Sequence, residues 1–255
     1  MLGTIQFNAS LWKAKEELEI LGYQNIVIPQ ERPRCAGESL GCTSPTLEYV
    51  LGSKDTVVYL CDGRFHMEAV MIANPKFDFF QYNPYSQEFT IEKYDFAGMM
   101  ALRKRAVATC IKLLGRKEAK IGLILSVLGR QGSPHILERM VKNCQAKNIN
   151  YHTLLISEIM PEILESYGSE FDFFVQIGCP RLSVDWGEGY HVPVLTPYEF
   201  WIVLGKANFQ EDSYPMDYYS DNGGEWTNYW HRQMDKKSRV GGLRKPKVEL
   251  KVEEK

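Results

Sequence analysis

The sequence predicts an α/β protein made of two successive units with mainly parallel sheets, and three observations carry the prediction. Strand-like apolar runs alternate with helical periodicity twice along the chain. The runs Ile121–Leu128 and Phe171–Ile177 are almost continuously apolar, as strands covered on both faces must be. Runs of this kind break sharply into Gly, Pro or Asp at 62–63, 129–134 and 178–180, the punctuation of strand-to-helix turns.

Size and charge bound the rest. A chain of 255 residues, 44% of them hydrophobic, holds one large or two ordinary domains. The net charge of −2 is unevenly spread: from Arg232 to Lys255 nine Lys or Arg face four Asp or Glu, so the body is acidic. An acidic body argues against a nucleic-acid groove. The basic, Gly- and Pro-containing end reads as a solvated tail, or else as a contact for RNA or an acidic partner. No run reaches the roughly 18 apolar residues of a membrane span, and the N-terminus lacks signal-peptide order, so a cytoplasmic location is expected. Six cysteines, at 35, 42, 61, 110, 144 and 179, show no framework spacing, which in that compartment favours free thiols or a metal site over disulfides.

In chain order, Gly3–Phe7 reads as a strand, Leu11–Leu21 as a helix stopped by Gly22, and Asn25–Ile28 as a second strand leading into the loop 29–45. Thr56–Leu60 is the third strand, followed by a turn at 61–66, a helix over 67–73 and a strand over 77–82. Tyr94–Leu114 carries the longest helical pattern and bridges the halves. The strand Ile121–Leu128 enters a turn where Ser133 is the N-cap and Pro134 the first residue of a helix through Ala146. A strand over 151–156, a helix over 161–167, the strand Phe171–Ile177, a strand over 191–195 and a helix opened by Pro197 complete the second unit. The reading therefore gives two Rossmann-like units, 1–112 and 113–206. An extended segment over 207–231 is anchored by Tyr214, Met216, Tyr218 and Tyr219, and an irregular tail covers 232–255.

Three places carry candidate chemistry. Gly129, Arg130, Gln131 and Gly132 offer backbone N–H groups at a helix entrance beside a cation, either an anion cradle or a plain tight turn. Asp62, Gly63 and Arg64 sit at a comparable strand end, either binding a charged ligand or pairing with each other, and His66 there reads more simply as a helix-start histidine. Cys179 ends the run Phe171–Ile177 at a sheet's carboxyl edge, and Cys42 lies in a loop of the first half. Each is either a small buried hydrophobe or a thiolate ligand. Two thiolates from different halves suit a soft metal or an iron–sulfur cluster, with Cys35 and Cys61 near enough in sequence to be considered as a third. No Ser-His-Asp order, H-E-x-x-H pair or Walker loop is present.

The segments Leu40–Pro45, Asp62–Glu68, Ile72–Pro75, Gly129–Pro134, Cys179–Gly187 and Leu195–Glu199, taken in order, resemble the first-subunit family of eukaryotic diphthamide synthase. The resemblance implies three similar α/β domains about a pseudo-threefold axis, each giving one cysteine to a 4Fe-4S cluster, with Cys42 and Cys179 matching the second- and third-domain ligands. It implies S-adenosylmethionine as co-substrate, split at the bond to Cγ by the reduced cluster to methylthioadenosine and a 3-amino-3-carboxypropyl fragment. The fragment is attached to a histidine of translation elongation factor two. A sister subunit and a small iron or zinc electron-donor protein are the implied partners. Asp62, Gly63, Arg64, Gly129, Arg130, Gln131, Gly132 and Arg181 become candidates for holding the co-substrate.

The family's first domain has no counterpart here, so a truncated chain is expected, unable alone to complete a cluster. Cys61 stands where the family pattern has Gly before Asp-Gly-Arg-Phe-His. The rival expectation is a non-catalytic subunit that docks the sister subunit without iron.

Overall fold

The structure, a computed structural model, describes residues 1–47, 56–116 and 118–234. The tail expected over 232–255 falls outside the described residues from 235 onward.

The first sheet has the order β1-β2-β3-β4, with β1 Leu2–Gly3, β2 Thr56–Leu60, β3 Asp78–Asn83 and β4 Glu88–Glu92. Its first three strands are parallel and β4 returns antiparallel to β3. Around it lie α1 Asn8–Ile20, α2 Phe65–Ala73 and α3 Phe96–Leu114. The second sheet has the order β6-β5-β7-β8, with β5 Lys120–Ser126, β6 Asn150–Ile156, β7 Phe173–Ile177 and β8 Val194–Leu195, all parallel. Its helices are α4 Pro134–Ala146, α5 Pro161–Glu165, α6 Arg181–Trp186 and α7 Pro197–Val203. The mainly parallel α/β class is thus as the apolar runs require: β7 is buried at all five positions.

Two local expectations are corrected, and two elements absent from the sequence reading are added. The strand read over Gly3–Phe7 stops at Gly3, because the N–H of Thr4 bonds the carbonyl of Leu60 and the chain turns at once into a short 3-10 helix over Ile5–Phe7. Asn25–Ile28 forms no strand. Asn25 has φ of 62°, the N–H of Gly3 is taken by the carbonyl of Gly37, and the contact to Met1 is a single bond from its amino group to the carbonyl of Val27 at 2.6 Å. The strand β4 was not legible, because its two apolar residues, Phe89 and Ile91, are both exposed. Helix α6, for which the sequence reading assigns no element, follows Cys179 through Pro180.

The lobes share a core. Met99 and Met100 of α3 pack with Ala69 and Ile72 of α2, Val184, Tyr198, Tyr214 and Met216, while Val107 and Cys110, further along α3, pack under the second sheet. Buried Arg103 of α3 reaches across. It donates to both carboxylate oxygens of Glu199 at 2.7 and 2.6 Å, to the carbonyl of Ser183 at 2.8 Å and to that of Val194 at 2.9 Å. Glu199 also completes the capping box of α7 with Thr196, so neither buried charge is left uncompensated. No helix among the described residues is long and apolar enough to cross a membrane.

Candidate functional site

Cys179 follows the buried strand β7 through Gly178, and Pro180 then starts α6. Gln176, wholly buried, donates its amide to the carbonyl of Cys179 at 2.9 Å and fixes this corner. Cys42 sits differently. No strand precedes it; reciprocal backbone bonds between Leu40 and Thr43, at 2.8 and 3.2 Å, close a tight turn with Cys42 inside. A Cβ at Gly41 would lie 2.1 Å from the Phe65 ring, so glycine lets that ring lie against the turn.

The two thiols, 137 positions apart in sequence, share one electrostatic neighbourhood. Burial, and then the nearby Cys179, push the Cys42 thiol up to about 12. Burial also raises Cys179, against the lowering effect of the Arg181 backbone N–H and guanidinium. Both are therefore thiols until a cation draws off their protons, the behaviour of soft-metal ligands rather than of free nucleophiles. Neither Cys35, which is exposed, nor Cys61, sealed in the first lobe's core, joins them in a ligating group. Among the described residues no set of three or more His, Cys, Asp or Glu gathers at metal-binding distance.

Beside Cys179 opens a cleft of about 330 Å³, lined by Phe65, Gln131, Met160, Arg181, Trp186 and others. Phe65, Leu128, Met160 and Trp186 are about half exposed or more, so the rim is apolar, while Ser157, Glu158 and Gln131 supply polar groups. The expected co-substrate residues divide around it. Gln131 and Arg181 line the cleft. Arg181 is also a strut between lobes: it donates from Nε to Asp185 at 2.7 Å, from Nη1 to the carbonyl of Phe65 at 2.9 Å and from Nη2 to Glu68 at 2.6 Å, with its guanidinium 4.7 Å from the centre of the Phe65 ring. Gly129 and Arg130 are exposed and do not line it. Gly129, at φ of 59°, makes the turn, and a Cβ on Gly132 would lie 1.9 Å from the carbonyl oxygen of Ser126, so both glycines have a backbone reason to be there. Ser133 occupies the N-cap position, but its buried hydroxyl makes no capping bond.

Asp62, Gly63 and Arg64 also stand off the cleft wall. Asp62 accepts from Gln6 at 3.3 Å, and Arg64 pairs with Glu68 and Glu92 and donates to the carbonyl of Lys93. The expected pairing between Asp62 and Arg64 is not the one formed. Phe65 and Trp186 escaped the sequence reading of the site. The signal for Phe65 was its place beside Arg64 and His66 in a strand-end turn, where an aromatic residue has little reason to be unless it packs on something.

Two mainly parallel-sheet lobes joined by a bridging helix, with a thiol from each in one electrostatic neighbourhood and a cleft beside Cys179, define a two-lobed α/β protein. The chain belongs to the diphthamide synthesis protein family, whose sequence profile matches residues 1–215. It is 46% identical over 234 residues to the 2-(3-amino-3-carboxypropyl)histidine synthase subunit 1 of Dictyostelium discoideum, covering 90% of this chain and 48% of that protein. Against the protein of that name from Homo sapiens it is 44% identical over 228 residues, 89% of this chain and 49% of the other. The chain thus spans about half the length of these curated relatives. A crystal structure of Dph2 from Pyrococcus horikoshii superposes with a TM-score of 0.62 at 26% identity, over 84% of this chain and 59% of that one. The structure of that protein with a 4Fe-4S cluster superposes with the same score at 25% identity, over 83% of this chain and 58% of that one.

Proposed function

We propose that this chain supplies two thiolate ligands and most of the co-substrate cleft for the first step of diphthamide formation, transfer of a 3-amino-3-carboxypropyl group from S-adenosylmethionine to a histidine of elongation factor two. The observation that carries the reading is that Cys42 packs against the second lobe and feels Cys179, which lines the cleft, in a chain whose relatives are named histidine aminocarboxypropyl synthases. The donor set fits two positions of a thiolate-held 4Fe-4S cluster: soft sulfurs, partly buried, with no carboxylate joining them in a ligating group among the described residues. When bound, the cluster supplies the electron that breaks the sulfonium bond to Cγ.

The protein's own residues do the rest. The apolar rim formed by Phe65, Met160 and Trp186 suits the methylthio and adenine faces, and Gln131 and Ser157 suit the polar edges of the nucleoside. Arg181, with three of its N–H groups already committed, acts here by fixing the wall and by opposing the developing negative charge on Cys179. A sister subunit, the electron donor and a cytoplasmic location complete the reading.

The test is anaerobic reconstitution with iron and sulfide, followed by iron counting and measurement of methylthioadenosine release, alone and with the sister subunit. Iron that depends on Cys42 and Cys179 supports the reading; iron retained equally by Cys42→Ala and Cys179→Ala variants removes it. A second reading has one observation in its favour, the lack of a third ligating side chain among the described residues. On that reading the chain is a docking subunit without iron, and it co-purifies with the sister subunit whether or not the two cysteines are present.

A further inference from the structure

The segment 214–234 lies almost wholly beyond the residues matched by the family profile, 1–215, yet it touches both the Cys42 turn and the turn after β5, whose Gln131 lines the same cleft as Cys179. On one side the N–H of Tyr218 donates to the carbonyl of Cys42 itself at 3.2 Å, the N–H of Ser44 donates to the carbonyl of Met216 at 2.7 Å, and the N–H of Tyr219 donates to Oγ1 of Thr43 at 3.0 Å. On the other side the phenol of Tyr218 donates to the carbonyl of Gln131 at 2.5 Å and that of Tyr219 to the carbonyl of Arg130 at 2.8 Å. Those carbonyls belong to the turn after β5, and β5 is the direct neighbour of β7, whose end carries Cys179. The two rings meet edge to face at 4.9 Å.

The strap is itself held from behind. The N–H of Asn228 donates to the carbonyl of Tyr218 at 2.8 Å, and the indole of Trp226 donates to Asp217 at 2.9 Å. Arg139 of α4 donates to the carbonyls of Glu225 and Thr227 at 3.0 and 2.8 Å. This fastening matters because, among the described residues, the Cys42 turn has no strand beneath it and is bridged outward by Thr43 with Asp217 alone. Two sulfurs on separate elements can share a metal group only if something fixes their separation, since ligand spacing tolerates a few tenths of an ångström.

We infer that Tyr218 and Tyr219 are positioning residues that hold the Cys42 and Cys179 sulfurs at a shared spacing and cover that side of the site. The biological meaning rests on the thiolate role proposed above, whereas the spacing is measurable without metal. The metal-free full chain is treated with dibromobimane, a short bifunctional thiol reagent, and the ratio of bridged Cys42–Cys179 to singly alkylated product is read by peptide mapping. In a Tyr218→Phe/Tyr219→Phe variant, which keeps both rings and loses both tethers, the ratio falls roughly threefold or more while the thermal midpoint barely moves. Tyr85→Phe, at an exposed phenol, leaves it unchanged. After reconstitution, the same double variant loses visible absorbance in air several-fold faster than the parent. An unchanged ratio in the folded double variant overturns the inference; if that variant does not fold, Tyr219→Phe alone is held to the same criterion. A ratio that falls as expected in a protein that retains no iron leaves the positioning role standing and removes the cluster reading instead.

Discussion

Cysteine 179 is held by geometry that a smaller side chain would leave nearly intact. Its backbone is fixed by Gln176 and by the start of α6 rather than by the sulfur. Replacing it with alanine is expected to cost only about 1–2 kcal/mol of stability, read by urea titration, while abolishing iron retention on reconstitution. The glycine at 132 is the opposite case. A Cβ there would collide with a backbone oxygen that cannot rotate away, so Gly132→Ala is expected to destabilise by roughly 2 kcal/mol or more and to displace the turn that receives the Tyr218 and Tyr219 phenols. Circular dichroism melts check the first part, and the thiol-bridging ratio the second. At this scale the sequence was informative about chemistry and less so about placement. That Cys42 and Cys179 deserved attention followed from their flanking glycines and prolines. That Arg181 would be tied to Glu68, 113 residues away, has no local signature.

The elements divide along the same physical line. Strands β5 and β7 were legible because continuous apolar runs have few other homes, and α4 because Pro134 marks its first turn. Strand β4 was not, since its stability comes from pairing with β3 and from the stack of Phe80 on Phe89 at 5.2 Å, neither visible in a five-residue window. Nor was the absence of a strand at Asn25–Ile28, where the N–H of Gly3 bonds Gly37, a residue outside that run.

The helical turn over 230–234 invites a pH test. His231 faces His135 at 4.3 Å between ring centres, with Arg139 and Arg232 adding positive charge and Glu138 beside His135. Burial, then His135, lower the His231 imidazole from its ordinary range, so the docked turn binds protons less readily than the released one. Docking is therefore complete above the ordinary imidazole range and weakens as pH falls through that range toward the depressed value. Amide exchange at 230–234 should accelerate over that window, and His135→Gln should flatten the change.

For the whole molecule, cohesion depends on two arginines rather than on sheet continuity. The two sheets share no strand, and the lobes are joined by α3, by the methionine-rich core and by Arg103 and Arg181. Removing one partner of a buried, multiply bonded ion pair costs about 3–5 kcal/mol, so Glu199→Ala is expected to approach the loss of the fold at physiological temperature. Arg181→Met, which keeps much of the volume, should keep each lobe folded. Its mark should be looser coupling, seen as broadened urea transitions and faster proteolysis in the turns at 61–66 and 178–180. Two coincident, sharp transitions in that variant would contradict the assigned role.

Synthesis runs in one direction, and the strap is encoded after both sulfur-bearing turns. The Cys42 loop and the end of β7 must leave the ribosome before Tyr218 exists to clasp them. Until then the two thiols belong to a partly assembled seam open to premature oxidation. Any group the two sulfurs are to share can therefore be received only late, and a chaperone or partner that shelters the nascent seam gains its value in the interval before those tyrosines arrive.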